Sequence, residues 1–255
     1  MSLLKLLGVR RAQGQQALPS LREARPLGFH GRPALRAGDC AACDACVAAC
    51  PTGAVSLPLA IDLGRCTFCD ACARACPDAR IELTNEVRMG ATRREGLLVA
   101  AAPPGGEGAR AAQTRIRADR ALARRFGRSL KLRQVSAGGC NACELELNAV
   151  ANVNFDLQRH GIEWVASPRH ADALVLSGAL TKGMRDAVRL CWDAMPEPKV
   201  LIAVGACAIS GGLYDGAAGL DRSFLDEIPP SLYVPGCPPH PLTFINAVLD
   251  LLDRP

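Results

Sequence analysis

CAACDACVAACPTGAVSLPLAIDLGRCTFCDACARACP, residues 40–77, decides how the rest of the chain is read. Within it Cys40, Cys43, Cys46 and Cys50-Pro51 recur as Cys66, Cys69, Cys72 and Cys76-Pro77, with an offset of 26 at every cysteine. Each half is C-x2-C-x2-C-x3-C-P, which wraps three thiolates around one corner of a compact body and holds a fourth apart. A cubane iron–sulfur cluster takes four thiolates, and the fourth cysteine of such a run ligates the other cluster. The crossover assigns Cys40, Cys43, Cys46 and Cys76 to one cluster, and Cys66, Cys69, Cys72 and Cys50 to a second. Proline after the fourth cysteine turns the chain away and removes an amide donor there. Other uses of these cysteines fit less well. Disulfide frameworks belong to short secreted chains with an even count, whereas this chain has 255 residues and 13 cysteines. Structural zinc prefers two C-x2-C pairs across a long spacer.

Eight of the 13 cysteines lie between 40 and 76 and none between 77 and 139, which divides the chain into two domains. Around the first group, Ala54–Leu57 and Ile61–Leu63 read as short strands, and Ile81–Thr84 repeats the first of them at the same offset. A core this small draws much of its folding energy from its metal. Upstream, Leu3, Leu4, Leu6 and Leu7 flank Lys5 as an apolar foot for a partner subunit or a bilayer, the partner being favoured. Arg10-Arg11 lacks the apolar region that follows a twin-arginine export signal. The Pro-, Gly- and Arg-rich residues after it read as an extended arm. Apolar residues make up 49% of the chain but aromatics only 4%, so the core is aliphatic. A net charge of +5 does not by itself point to nucleic acid. Nothing approaches the run of about 18 apolar residues that a membrane-spanning helix needs.

Downstream, AAPPGGEGAR (101–110) reads as a linker by its Pro and Gly. Residues 110–133 follow with eight arginines and Lys131 against Asp119 alone. This is a basic helix that is either solvated or set against an acidic subunit surface or anionic lipid. From 130 onward, strand and helix signals alternate, the mark of an α/β domain on a parallel sheet. Strands are expected at Leu130–Val135, Ile162–Ala166, Ala173–Leu176, Val200–Val204 and Leu232–Val234. Helices are expected from about Asn141 to His160, stopped by Gly161, from Met184 to Met195, and, amphipathic, from Leu242 to Leu252. Cys140 with Cys143, Cys207 and Cys237 each follow the end of an expected strand, where open parallel sheets bind ligands. Glycines precede each arm (Gly138-Gly139, Gly205, Gly236), permitting close backbone approach to cluster sulfurs. These four make a third four-cysteine site. Three such sites use 12 cysteines and leave Cys191, which reads as a buried free thiol on an apolar helix.

Residues 34–85 resemble a bacterial two-cluster ferredoxin of the 2[4Fe-4S] type. Residues 130–250 resemble the cluster-bearing subunit shared by complex I and [NiFe] hydrogenases, through GGCNACELE (138–146), VASPRHADALVLSG (165–178), VGACAISGG (204–212) and VPGCPPHP (234–241). Complex I subunits of this kind usually carry adjacent cysteines at the first site. The spaced pair Cys140-Asn141-Ala142-Cys143 is the form of hydrogenase small subunits. The chain is therefore similar above all to the small subunit of membrane-bound group 4 [NiFe] hydrogenases, including formate hydrogenlyase, fused to a ferredoxin-like subunit. The resemblance implies an α+β two-domain architecture: an arm (1–33), a 2[4Fe-4S] ferredoxin-like domain (34–100), a basic linker or helix (101–129), and an α/β flavodoxin-like parallel-sheet domain (130–255). It implies three [4Fe-4S] clusters and a [NiFe] hydrogenase-type large subunit as partner. A further cluster-bearing donor subunit or ferredoxin and membrane subunits follow, on the cytoplasmic face of the membrane, with no nucleic acid and no complete active site in this chain alone. A complex I-related quinone or ferredoxin oxidoreductase without nickel is the alternative. Glu144 and Glu146, beside Cys143, are candidates for proton movement or simply complement a helix N-terminus. His240 is a candidate for tuning the cluster or for starting a helix. His30, His160 and His170 have no evident partners.

Overall fold

The computed structural model describes residues 2–14, 16–38, 40, 43–101, 116 and 120–254. The linker expected at 101–110 and the first part of the basic segment lie outside the described residues, apart from Ala101 and Ile116. Helix α1 (Leu3–Gln13) exposes every residue it contains. The arm that follows leads into β1 (Pro33–Leu35), and the first cysteine run carries α2 (Ala45–Ala48). Strands β2 (Val55–Ser56) and β3 (Ala60–Asp62) come next, then α3 (Ala71–Ala75), which sits 26 residues after α2 as the repeat requires. Strand β4 (Ile81–Leu83) pairs antiparallel with β1, whereas β5 (Leu98–Ala100) extends the β2–β3 hairpin, also antiparallel. The two halves therefore repeat their helices and cysteines, but their strands join different sheets.

Helix α4 (Arg120–Phe126) is the described helical part of the basic segment; Lys131 and Arg133 belong instead to β6 (Leu130–Ser136). Then follow α5 (Ala142–Ala149), β7 (Ile162–Trp164), β8 (Ala173–Ser177), α6 (Lys182–Asp193), β9 (Val200–Val204), α7 (Gly205–Ser210), α8 (Ser223–Glu227), β10 (Leu232–Val234) and α9 (Pro241–Leu251). All five strands are parallel in the order β10-β9-β8-β6-β7. Counted from β6 as the first strand, this is 2-1-3-4-5, the flavodoxin-like doubly wound order. Strands β8 (ALVLS) and β9 (VLIAV) are buried at every residue, as central parallel strands covered on both faces must be.

Two expectations change. The helix expected to run to His160 ends at Ala149, and a 3-10 turn covers Leu157–His160. Between them lie Asn152, Asn154 and Asp156, whose side chains compete with the helical backbone, and Asp156 takes φ +45°. Helix α9 is not amphipathic in use: all its residues except Asp250 are buried. The arm covers its outer side, with Asn246 Nδ2 donating to the Leu21 carbonyl (3.0 Å) and Arg22 and Arg88 both binding Asp250 (2.6 and 3.0 Å).

The two domains share a core. Ile61, Leu63, Met89, Ala91 and Leu97 from the first pack with Ala203, Ala208 and Ile209 from the second. Ala91 also exchanges two backbone hydrogen bonds with Tyr233 (2.8 and 3.0 Å), and Arg65 pairs with Asp215 across the same junction. This contact fixes the cysteine-rich half beside α7, which carries Cys207, and beside β10, which Cys237 follows.

Candidate metal centre

In the first domain each fourth cysteine lies with the other run. Cys50, Cys66, Cys69 and Cys72 line one cavity with Phe68, Ile61 and Val55. Burial pushes the Cys66 thiol up to about 12, reinforced by Cys72, Cys50 and Cys69 around it. Cys46 is raised by burial and then by Cys76, with Cys40 adding to it. Cys43 stands beside Cys40, its amide donating to the Cys40 carbonyl (3.2 Å). Backbone amides aim at the paired fourth cysteines: Ala54 N donates to Cys50 Sγ (3.2 Å) and Arg80 N to Cys76 Sγ (3.4 Å), again 26 residues apart. Amide donors of this kind tune a bound cluster's potential.

The second domain brings Cys140, Cys143, Cys207 and Cys237 to the carboxyl edge of its sheet. Cys143 reaches about 12 through burial first, then Glu144, Cys207, Cys237 and Cys140. Cys207 and Cys237 are likewise raised by burial and by the neighbouring thiols. Thiols held protonated by burial and mutual repulsion are what a cationic iron core relieves, releasing protons as it binds. Glycine permits one close approach of backbone to a ligand sulfur at this site. Gly205 has φ +87°, and a Cβ there would stand 2.6 Å from Cys143 Sγ. The four-cysteine donor set and this clearance fit a [4Fe-4S] cluster. Among the described residues no group of three or more His, Cys, Asp or Glu side chains closes around a single ion.

The two cysteine assemblies border one cleft. Cys69 is near enough to Cys237 to raise its pKa. A cleft lined by His30, Phe68, Met89 and Cys237 runs between them. His30, without an evident partner in sequence, sets Nδ1 3.2 Å from the Phe68 carbonyl. Glu144 is buried and accepts from Ser177 Oγ (2.7 Å). Burial alone would raise it, but hydrogen bonds from Ser136 and Ser177 bring it below the usual carboxylate range. Glu146 is half-buried and raised by burial. His240 begins α9, its Nδ1 accepting from Leu242 N (3.1 Å), and burial between Phe29 and Phe155 lowers its pKa. Cys191, expected to be buried, is half-buried on α6 beside Arg133 and forms no disulfide. His160 meets Arg159, and His170 is exposed. Sequence reasoning passed over Arg222, whose guanidinium binds the carbonyls around Cys207; a lone arginine before a short helix carries no motif.

Residues 140–251 match the family described as NADH ubiquinone oxidoreductase, 20 Kd subunit, and residues 59–79 match a 4Fe-4S binding domain. The probable membrane-bound hydrogenase subunit mbhJ of Pyrococcus furiosus is 36% identical over 133 residues, 52% of this chain and 80% of that protein. An NADH-quinone oxidoreductase subunit of Geotalea daltonii is 40% identical over 119 residues, 46% of this chain and 68% of that protein. The chain belongs to the 20 kDa subunit family. Formate hydrogenlyase subunit 7 of Escherichia coli, 41% identical over 124 residues, is a further relative. The match covers 47% of each protein, so the chain spans about half the length of that relative. The 20 kDa subunit family serves oxidoreductase complexes of the hydrogenase and complex I kind, and this member carries an iron–sulfur domain ahead of the family domain. Among its described residues, no helix is long and apolar enough to cross a membrane.

Proposed function

We propose that this chain is the electron-transfer subunit of a group 4, formate hydrogenlyase-like hydrogenase complex. In this reading it holds three [4Fe-4S] clusters, on Cys40, Cys43, Cys46 and Cys76; on Cys66, Cys69, Cys72 and Cys50; and on Cys140, Cys143, Cys207 and Cys237. Bound there, the clusters supply one-electron transfer. The chain's own residues support an order for them: Thr67 and Phe68 of the second run line one cleft with Gly236 and Cys237, and this adjacency is the observation that carries the reading. On this reading the Cys66 run is the neighbour of the strand-edge site and the Cys40 run the outer terminus, where a donor subunit or ferredoxin delivers electrons.

The strand-edge site is finished by something else. Cys140 is exposed, and Leu145 and Leu213 beside the cysteine arms are 62% and 60% exposed. A large subunit of [NiFe] hydrogenase type docking on this edge covers those apolar side chains and excludes water from the site. The complex sits on the inner face of the membrane through its membrane subunits. Anaerobically purified chain is expected to carry about 12 iron and 12 sulfide per molecule; about eight, with only ferredoxin-type spectra, removes the third site. The match to the Geotalea daltonii NADH-quinone oxidoreductase subunit favours a second reading, a complex I-related enzyme without nickel. Nickel in the co-purified large subunit decides between them: its presence supports the hydrogenase, and an active complex without it the alternative.

A further inference from the structure

Arg222 stands just before α8 and reaches back across the sheet edge to the helix that carries Cys207. Its Nη1 donates to the carbonyls of Cys207 (3.0 Å) and Ala179 (3.4 Å), and its Nη2 to those of Ala208 (2.8 Å) and Ile209 (3.0 Å). Three of these four acceptors belong to α7, a six-residue helix whose last carbonyls have no partner within the helix. The side chain is half-buried, and among the described residues no carboxylate is within salt-bridge distance of it. Asp215 and Asp226 act on it from farther off; Asp215 is engaged by Arg65 and Asp226 is exposed. A desolvated charge without a counter-ion is costly, and carbonyl dipoles supply only part of what it lacks. Asp215, Asp226 and Cys207 when ionised all bear on its charge, and of the three only Cys207 also accepts a hydrogen bond from it, through its carbonyl.

We propose that Arg222 is the fixed counter-charge of the four-cysteine site at the sheet edge, positioning Cys207 through its carbonyl and holding that site at a higher reduction potential. The proposal rests on the three-cluster reading above. Reduction adds one electron to an already anionic thiolate-bound centre with no proton required, so a permanent cation close by favours the reduced form. Arginine suits the post because it stays charged at every working pH and its planar fork spans several acceptors at once. It touches no reacting group of a substrate and acts through Cys207, as a positioning residue.

The test is an EPR-monitored redox titration of the full, anaerobically purified chain. In R222Q the strand-edge midpoint falls, and its reduced-to-oxidised ratio at fixed poise drops about tenfold, about 59 mV for one electron. The two ferredoxin-type signals stay in place. R222K keeps the charge and a midpoint near the parent's. An unmoved midpoint in R222Q overturns the proposal and leaves Arg222 a helix cap. So does R222K shifted as far as R222Q, since hydrogen bonding and not charge would then be at work. Should R222Q fail to load the site, R222H decides. Its midpoint, referred to the parent's at each pH, falls as the imidazole loses its proton, and a constant difference overturns the idea. A parent chain with no strand-edge signal defeats the three-cluster reading itself, before Arg222 is reached.

Discussion

Replacing Gly205 with alanine tests the close approach that makes room at the strand edge. The residue has φ +87° directly after β9, and its missing Cβ would be 2.6 Å from Cys143 Sγ. Two costs add. Holding an L-residue in the left-handed region costs about 1–2 kcal/mol. Forcing an atom into a packed contact costs about 1–3 kcal/mol more. Gly53 separates them: it has φ +59°, and a Cβ there would meet nothing within 4 Å. G53A therefore carries only the first cost, and G205A exceeds it by about 1–3 kcal/mol. Anaerobic denaturant unfolding of both variants, with iron and sulfide assayed beside it, reads the difference. G205A is expected to lose the strand-edge EPR signal and retain the ferredoxin-type pair. Equal destabilisation of the two variants, or a fully loaded G205A of parental stability, refutes the steric argument.

Cys50→Ser is expected to impair the EPR signal of the Cys66 run and Cys76→Ser that of the Cys40 run; each variant damaging only its own run's signal refutes the crossover. Leu63, fully buried in the core shared by the two domains, is expected to cost about 2–5 kcal/mol on truncation to alanine. Limited proteolysis of L63A should release the second domain sooner, and unchanged digestion shows that the interface does not depend on this contact. His240 titrates below its ordinary range because burial disfavours its charged form. Its folded pKa is depressed, so the stability it contributes is fully present above about pH 6.5 and falls away as pH drops through the lower folded value. H240N keeps an acceptor for Leu242 N but not the titration, so its thermal midpoint should lose less than the parent's between pH 7.5 and 5; parallel losses clear His240 of the effect.

The cysteines were the legible part of this chain. A fixed 26-residue offset and C-x2-C-x2-C-x3-C-P spacing are local signals, and the structure gathers Cys50 with the later run as that spacing leads one to expect. Glycine–cysteine pairs at strand ends were legible for a related reason: an apolar run such as Val200–Val204 marks a buried strand, and Gly205 marks its abrupt end. Less was visible where long-range contacts decide. The break after Ala149 depends on asparagine and aspartate side chains whose local preference overrides an otherwise helical pattern. Nothing near α9 in sequence announces that Leu21, Arg22 and Gly90 cover its outer face. The junction at Ala91 and Tyr233 joins backbone 142 positions apart, and the Arg222 side chain reaches α7 carbonyls 15 or fewer positions away; neither contact leaves a composition signature.

That junction also bears on how the chain keeps to itself. Strand β10 ends the five-stranded sheet, and an end strand offers unpaired amides and carbonyls to any other extended chain. Here Tyr233 spends both of its outward groups on Ala91, so the first domain blunts the border of the second. Removing residues 1–101 would leave the family domain with an open seam lined by Leu232, Tyr233 and Val234, inviting self-association. The amino-terminal domain thus acts as a resident guard of that border.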